Sequence, residues 1–217
     1  HGLPRSEGHR AGIEAVKRAV RGCVKFGVEY LTVYAFSTEN WRRPSSEVSY
    51  LMQLLLQGFR KDLFELEKEN IRVRIIGLQD QLPDKVTRAA REAMERTADN
   101  SGLKLQIALN YGSRAEIVSA CRRVVEAVQA GSLRLDELNE DVFASFLFTQ
   151  GVPDPDLIIR TGGECRLSNF LLWQAAYAEI WTTEVKWPDF TEETLLEALQ
   201  YYAHRERRFG GLGPESV

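Results

Sequence analysis

The clearest candidate for binding chemistry is a pair of arginines beside two glycines. Arg160 ends the apolar run 157–160, and the following segment contains Gly162, Gly163, Arg166 and Ser168. A guanidinium group presents a fork of donors that matches phosphate oxygens, and glycine lets the backbone approach a ligand closely. We also expect a helix to begin at Ser168, whose first N–H groups favour anions. The segment therefore indicates a diphosphate grip, and a turn held by an Arg–Glu pair is the alternative.

A second reactive segment follows the β-branched and aromatic run 30–36. Ser37, Asn40, Trp41 and Arg43 bring a hydroxyl, a carboxamide, an indole and a guanidinium into one short loop. A plain connecting loop rarely carries this combination, so the pattern indicates a reacting centre. The alternative is that Trp41 fills the core and Asn40 forms a turn.

Two basic segments stand near the ends of the chain. Residues 5–12 place Arg5 and His9 near a predicted helix start, where free N–H groups and the helix dipole favour phosphate. Residues 205–211 contain Arg208 and Gly210, and the glycines there cannot extend a helix. Both segments fit an anionic ligand, although solvated basic surface explains each of them as well.

Several well-known motifs are absent from the sequence. It contains no G-x-x-x-x-G-K-[ST] loop and no G-x-G-x-x-G after a strand, which disfavours nucleotide hydrolysis and dinucleotide redox chemistry. It also lacks G-x-S-x-G and H-E-x-x-H, so serine and zinc hydrolases are disfavoured. The carboxylates of Glu164 and Glu179 are candidates for placing Mg²⁺, which bridges one or two carboxylates to substrate phosphates.

The elements that must position these residues alternate between strand and helix. Strands are predicted at 30–36, 71–77, 103–110, 157–160 and 180–185, and helices at 7–26, 46–69, 83–100, 114–130, 140–148, from 168, and at 191–205. This order predicts an α/β fold, with an open, mainly parallel sheet flanked by helices. Ligands in such folds bind beyond the carboxyl ends of the strands. We therefore expect the loops 37–44 and 161–168 to meet.

Composition sets the class of protein. The 217 residues form one predicted domain, 1–217, with 44% hydrophobic and 27% charged residues, as is typical of globular proteins. A net charge of −3 argues against nucleic-acid binding through bulk positive charge. Three dispersed cysteines without a C-x-x-C pair indicate neither a disulfide framework nor a zinc ribbon. No apolar run reaches membrane-spanning length, so a cytoplasmic protein is expected.

Taken together, the segments resemble the cis-prenyltransferase family, the undecaprenyl diphosphate synthases and their relatives. The resemblance is carried in order and spacing along the whole chain by GHRAG at 8–12, YAFSTENW at 34–41, NYG at 110–112, IRTGGECRLSNFLLWQ at 159–174, WPDF at 187–190 and RERRFGG at 205–211. Such a match is highly specific. It implies a sheet of about six strands and an apolar tunnel for a hydrocarbon product.

The resemblance also implies an activity. A member of this family condenses isopentenyl diphosphate with an allylic diphosphate, typically farnesyl diphosphate, in the presence of Mg²⁺ and makes each new double bond in cis geometry. The product is a polyprenyl diphosphate such as the undecaprenyl carrier of cell-wall synthesis. The family resemblance further implies a homodimer, and the lipophilic product implies transient contact with a membrane surface.

The resemblance assigns roles to individual residues. The allylic diphosphate is expected to be held by Arg5, His9, Trp41 and Arg43. Catalysis is expected to involve His9, Ser37 and Asn40, with Asn40 in the network that handles the proton lost on condensation. Isopentenyl diphosphate is expected to be bound by Arg160, Arg166, Ser168, Arg208 and Gly210. Glu179 is expected to assist metal placement, and the terminal Arg208 and Gly210 to reach the neighbouring subunit.

One departure concerns catalysis directly. Family members carry a strand and an Asp-Gly-x-x-Arg-Trp-type segment just before the position of His1, and this Asp is the expected Mg²⁺ ligand. We expect the segment to exist in the native protein, and residues 1–217 alone to bind isopentenyl diphosphate better than they turn it over. Two alternatives remain open: a short-chain or irregular prenyl diphosphate synthase, and a non-catalytic partner subunit of the same fold.

Overall fold

The computed structural model describes residues 5–205, with side chains from Glu7 onward. Helices and strands alternate along this part of the chain as α1 (Arg5–Lys25), β1 (Tyr30–Ser37), α2 (Ser45–Lys68), β2 (Arg72–Ile76), α3 (Asp84–Arg96), β3 (Lys104–Tyr111), α4 (Ser113–Gln129), α5 (Glu140–Ala144), β4 (Leu157–Arg160), β5 (Glu179–Thr182) and α6 (Glu192–Ala203). Short 3₁₀ helices cover Thr38–Arg42, Leu135–Glu137 and Trp187–Asp189. The predicted α/β fold is confirmed.

The strands pair in parallel throughout the described residues. β3 lies between β1 and β2, with Val33 opposite Ile107 and Ile75 opposite the same residue from the other side. β4 pairs with β5 in a separate two-stranded group, with Arg160 opposite Thr182. Helices lie in the connections between successive strands from β1 to β4, whereas turns connect β4 to β5, and the parallel direction gathers the carboxyl ends of paired strands at one edge.

The helices cover the sheet with two apolar clusters. α2 and α3 pack on β2 through a cluster that includes Met52, Phe59, Val73 and Val86. α1 and α6 pack on β1 and β3 through a second cluster that includes Ala15, Val20, Val33, Leu105 and Leu195. A space lined by residues of α1, α2, β1 and β3 remains between the two helices.

Two predicted helix starts differ from the structure. The expected helix from Ser168 is absent, and residues 168–177 form successive turns instead. Ser168, Asn169 and Leu171 all have positive φ, of 52°, 63° and 47°. A right-handed helix cannot contain such residues. α1 begins two residues before its predicted start, which leaves His9 inside the helix rather than at its first free N–H groups.

Candidate active site

An apolar cavity of about 560 Å³ lies between α1, α2 and the sheet. One end lies beside Gly8, His9, Tyr34 and Ala35, close to the carboxyl end of β1. Its walls then pass Ile13, Val16 and Val20 on α1, Leu51, Leu54, Leu55 and Phe59 on α2, and Leu105 and Ile107 on β3. The cavity therefore joins the edge of the sheet predicted to bind ligands to an apolar interior, as expected for a tunnel.

Three apolar residues of α2, Leu54, Leu56 and Phe64, have different environments. Leu54 is buried and lines the cavity, whereas Leu56 packs against the α2–α3 cluster. Phe64 is 70% exposed. Of these three residues, Leu54 is the one that lines the cavity.

Glu47 joins two of the predicted diphosphate-binding residues at the cavity entrance. Its Oε1 lies 3.3 Å from His9 Nε2 and accepts a hydrogen bond of 3.0 Å from Arg43 Nη1. The Glu47 side chain is only 13% exposed, whereas that of Arg43 is 40% exposed. The structure therefore brings His9 and Arg43 together, and leaves Arg43 accessible to an anion.

The loop after β1 is held by its own hydrogen bonds. Asn40 Oδ1 accepts from the Ser37 backbone N–H over 3.0 Å, which closes the 3₁₀ turn. Trp41 Nε1 donates to Asn110 Oδ1 over 2.7 Å, and its ring meets Phe36 edge to face. Asn110 is fully buried at the end of β3 and donates in turn to the carbonyl of Leu78 over 2.8 Å. The hydrogen bond and the ring contact together hold the Trp41 side chain in one position in this loop.

A hydrogen bond across the edge of the sheet joins the two predicted loops. Asn169 Nδ2 donates to Glu39 Oε1 over 2.8 Å, and Asn169 Oδ1 accepts from the Arg114 backbone N–H over 2.9 Å. Gly112 lies between them, since a Cβ there would stand 2.5 Å from Thr38 Oγ1 and 2.8 Å from Asn169 Nδ2. The predicted loop at 37–44 therefore contacts Asn169, the residue directly after the predicted loop at 161–168.

The predicted isopentenyl diphosphate residues differ in their surroundings. Arg160 is half-buried at the end of β4, and within the described residues its buried Nε has no hydrogen-bond partner. Arg166 is 63% exposed and pairs with Glu164, the ion pair that was the alternative interpretation of this segment. Ser168 is exposed beside Asn169. An unpaired, buried guanidinium donor is costly without an acceptor, so Arg160 offers a place for an anion.

Within one chain, Glu179 and Arg160 lie at opposite ends of the paired strands β4 and β5. Glu179 is the first residue of β5 and lies opposite Leu157, whereas Arg160 lies opposite Thr182. Three residues of strand correspond to about 10 Å. Glu179 Oε2 accepts instead from Arg205 Nε over 3.1 Å. Among residues 5–205, no group of three or more His, Cys, Asp or Glu side chains is arranged to hold a metal ion.

Three predicted site residues have no described side chain. Arg5 is the first residue of α1, but its side chain lies outside the described part. Arg208 and Gly210 lie outside the described residues altogether. Their roles stay predictions.

Two tyrosines near the site, Tyr34 and Tyr111, have raised pKa values. Burial, followed by the charge of Glu39, raises the pKa of Tyr34 to about 12, so its hydroxyl is neutral and donates to the Tyr111 carbonyl over 3.0 Å. Burial raises the pKa of Tyr111 as well, helped by the charge of Glu116. Glu116 is fully buried and accepts from the Tyr111 hydroxyl, the Phe148 N–H and Gln174 Nε2. This network fixes the segment that carries Asn169 against α4.

Sequence reasoning missed several of these positioning residues. Glu47 follows Arg43 by four residues, the spacing of an ion pair on a helix, which was an available signal. Asn110 and Gly112 stood in a quoted motif without assigned roles. Glu39 and Asn169 also stood in quoted motifs without assigned roles, and nothing in the sequence paired them, because their contact exists only after folding.

Comparisons with known proteins agree with this geometry. Residues 1–210 match the model of the Prenyltransf family, described as undecaprenyl diphosphate synthase. The chain is 51% identical over 211 residues to an isoprenyl transferase of Clostridium perfringens, covering 97% of this chain and 83% of the relative. It is 52% identical over 211 residues to an isoprenyl transferase of Rhizobium meliloti, covering 97% and 85%.

Two solved structures show the same fold. Lavandulyl diphosphate synthase from Lavandula x intermedia, in complex with dimethylallyl diphosphate, superposes with a TM-score of 0.93 at 37% identity, covering 96% of this chain and 90% of that chain. A probable undecaprenyl diphosphate synthase from Campylobacter jejuni superposes with a TM-score of 0.82 at 35% identity, covering 97% and 94%. In this chain, no helix among residues 5–205 combines the length and hydropathy needed to cross a membrane.

Proposed function

The chain belongs to the undecaprenyl diphosphate synthase family of prenyltransferases, and from this premise we propose that it elongates a prenyl chain in cis geometry. The substrates in this proposal are isopentenyl diphosphate and an allylic diphosphate such as farnesyl diphosphate. The product is a polyprenyl diphosphate of the kind that carries cell-wall precursors.

The observation that carries the proposal is the apolar cavity beginning beside His9. A prenyl chain is hydrocarbon, and each buried CH₂ is stabilised by about 0.8 kcal/mol. A diphosphate is doubly charged or more and needs cationic donors. The structure places polar donors and an apolar cavity of about 560 Å³ next to each other, which suits a molecule with both parts.

Binding of the allylic diphosphate is proposed at the cavity entrance. His9 lines the entrance, and Arg43 is held beside it through Glu47. We assign Arg5 and Trp41 to the same subsite. When the allylic C–O bond breaks, negative charge grows on the leaving diphosphate, and fixed guanidinium donors stabilise it most at that moment.

Binding of isopentenyl diphosphate is proposed at Arg160, Arg166 and Ser168. The unpaired Nε of Arg160 supports this assignment, because a phosphate oxygen would supply the missing acceptor. The Asn169–Glu39 hydrogen bond holds this segment against the loop of Ser37 and Asn40. As the new C–C bond forms and the allylic C–O bond breaks, isopentenyl diphosphate loses a proton to the departing diphosphate, and we assign Asn40 and Ser37 to the hydrogen-bond network that handles this proton.

Mg²⁺ fits this donor set only as a metal that arrives with substrate. It commonly uses one or two carboxylates together with substrate phosphates, so it does not require a preformed cluster. When bound, Mg²⁺ neutralises charge on the leaving diphosphate. Glu179 is our candidate ligand. Because Glu179 lies about 10 Å along the strands from Arg160, it would serve a diphosphate other than the one held by Arg160 of its own chain.

We propose that two chains act together as a homodimer. Glu179 accepts a hydrogen bond from Arg205, which lies three residues before Arg208 in the sequence. Ile180 on β5 is 45% exposed and Leu172 is 36% exposed, so this part of the chain presents apolar surface that a second chain could cover. We place the enzyme in the cytoplasm and expect the hydrocarbon product to leave through brief contact with a membrane surface.

The test is incubation of the full-length protein with farnesyl diphosphate, labelled isopentenyl diphosphate and Mg²⁺. We expect labelled polyprenyl diphosphates, resolved by reversed-phase chromatography after removal of the diphosphate. The same reaction without Mg²⁺ and the isolated 217-residue chain serve as comparisons. Absence of labelled product from the complete protein would refute the proposal.

A second candidate is a short-chain or irregular prenyl diphosphate synthase. The close superposition on lavandulyl diphosphate synthase supports it, because that structure binds an allylic diphosphate in the same fold. Incubation with dimethylallyl diphosphate alone distinguishes the two. Product formed without isopentenyl diphosphate would favour this candidate over chain elongation.

A further inference from the structure

A large aromatic side chain on α2 stands in solvent. Phe64 is 70% exposed, as much as any other large apolar side chain among residues 7–205. A single exposed apolar residue is ordinary on a protein surface, so the residues around it decide whether it has a function.

Three cations surround Phe64 on the outer face of α2. Successive residues of an α-helix are about 100° apart, so Arg60, Lys61 and Lys68 lie within about 60° of Phe64 around the helix axis. All three are exposed, and none of them forms an ion pair with another side chain of the described chain. We call these four residues the α2 outer patch. The patch is basic, although the whole chain has a net charge of −3.

The acidic residues in this half of α2 leave the patch basic. Glu67 lies on the same side of the helix as the aromatic ring, but its carboxylate accepts hydrogen bonds of 2.8 Å and 2.5 Å from Arg96. Asp62, Glu65 and Glu69 lie about 100° or more around the helix from the ring, where they line the cavity. Among the described residues, the cations of the patch therefore have no neutralising partner.

The patch and the cavity lie on opposite faces of the same helix. Leu55 and Leu66 line the cavity from the face of α2 that is turned away from Phe64. An α-helix with its side chains is about 10–12 Å across. A surface that contacts the patch therefore lies about one helix diameter from hydrocarbon held in the cavity.

The patch has the chemistry of a weak membrane contact. An aromatic ring is accommodated at the level of the lipid headgroups, and each Lys or Arg near an anionic leaflet strengthens binding about fivefold. One ring and three cations therefore give reversible binding rather than stable anchoring. A second protein fits less well, because the centre of a protein interface buries more apolar surface than one ring provides.

We propose that the α2 outer patch docks the enzyme reversibly on the headgroup region of an anionic membrane. Phe64 inserts between headgroups, and the three cations lie against lipid phosphates. This inference rests on the proposed function, since it names the surface for the membrane contact through which the hydrocarbon product leaves. Docking is measured without turnover, so the two proposals fail separately.

The test is co-sedimentation of the full-length protein with vesicles that contain phosphatidylglycerol and phosphatidylcholine, or phosphatidylcholine alone. We expect the wild type to bind the anionic vesicles, and high salt to release it, because salt screens exposed charges. No binding, or equal binding to both kinds of vesicle, overturns the inference.

Two variants assign the apolar part of the binding to the ring. Phe64→Ser is expected to weaken binding to the anionic vesicles at both low and high salt. Leu135→Ser is the matched control, since Leu135 is also 70% exposed, and its binding is expected to equal that of wild type. Equal losses in the two variants contradict the assigned surface.

Two double variants test the charges in the same way. Arg60→Gln with Lys68→Gln is expected to weaken binding about 25-fold at low salt. Arg122→Gln with Lys186→Gln is the control, because it removes two exposed cations from α4 and from the segment after β5. A loss in the control as large as in the patch variant shows that net charge alone attracts the protein, and overturns the inference.

Two further measurements separate docking from other roles of this face. Sedimentation velocity without vesicles reports whether Phe64→Ser changes the mass of the assembly, and a fall in mass shows that the patch contacts a second copy instead of a membrane. Prenyl transfer in detergent solution is expected to be unchanged in Phe64→Ser, since Phe64 lies outside the cavity lining. Wild type that binds vesicles without making polyprenyl product refutes the proposed function alone, whereas active wild type that does not bind refutes docking alone.

Discussion

The carboxamide of Asn169 donates a hydrogen bond to the carboxylate of Glu39 over 2.8 Å, although 130 residues separate them in the chain. Asn169 belongs to the segment that carries Arg166 and Ser168, and Glu39 stands next to Asn40. The bond therefore sets the distance between the two loops to which we assign the two diphosphate substrates.

The stability that the Asn169–Glu39 hydrogen bond contributes should depend on pH. Burial acts to raise the pKa of Glu39, but the Asn169 hydrogen bond and bonds from its own loop lower it below the usual value of 4.5. A lowered pKa means that the ionised carboxylate contributes stability above about pH 4.5, and that this contribution is lost as pH falls through the lower folded value. Asn169→Ala should therefore cost stability at neutral pH and cost less at low pH.

Urea unfolding between pH 3 and 7 measures this effect. Since Glu39 is exposed, we expect the pH-dependent part to be at most about 1 kcal/mol. Asn100→Ala is the control, because Asn100 donates to the Ile71 carbonyl and loses a bond without a titrating partner. A cost of Asn169→Ala that stays the same at pH 3 would contradict the assigned tether.

Arg160→Ala should weaken the binding of isopentenyl diphosphate. A hydrogen bond to a charged group contributes about 1.5–3 kcal/mol, so affinity should fall by one to two orders of magnitude. Isothermal titration calorimetry measures the change. Arg134→Ala is the matched control, since Arg134 forms an exposed pair with Asp136 far along the chain from the site. Equal affinity of Arg160→Ala and wild type would remove Arg160 from the site.

Trp41→Phe should destabilise the loop after β1. The substitution removes the donor to Asn110 Oδ1, which is fully buried, and an unsatisfied buried acceptor costs about 1–3 kcal/mol. Thermal and urea unfolding measure the loss. Trp173→Phe is the control, because within the described chain its ring packs on Phe143 and its N–H meets no protein acceptor. Comparable losses in both variants would show that ring volume, and not the hydrogen bond, matters.

Gly112→Ala should push the two loops apart. Gly112 has an extended backbone, so the cost is steric: the new Cβ would lie 2.5 Å from Thr38 Oγ1 and 2.8 Å from Asn169 Nδ2. We expect a loss of about 1–3 kcal/mol and a clear fall in kcat/KM for prenyl transfer. Adding Thr38→Ala removes one of the two clashes and should recover part of the lost stability and part of the lost kcat/KM. A fully stable and active Gly112→Ala would show that the loops separate without consequence.

Much of the fold was determined by the sequence alone. The helical pattern over residues 7–26 predicted α1, and the β-branched and aromatic run 30–36 predicted β1. These patterns are local, because a helix or strand repeats its buried face at a fixed interval. Parallel order followed from their alternation, and it correctly predicted that the loops after β1 and β4 lie close together.

Other features were decided only by tertiary structure. The positive φ angles of Ser168 and Asn169, which replaced the predicted helix, occur where Asn169 bonds both Arg114 and Glu39. Propensity does not predict such a backbone, because contacts distant in sequence stabilise it. The same holds for Glu47 between His9 and Arg43, and for Lys17 opposite Asp62. Each depends on where two helices cross, which the spacing of residues within either helix does not specify.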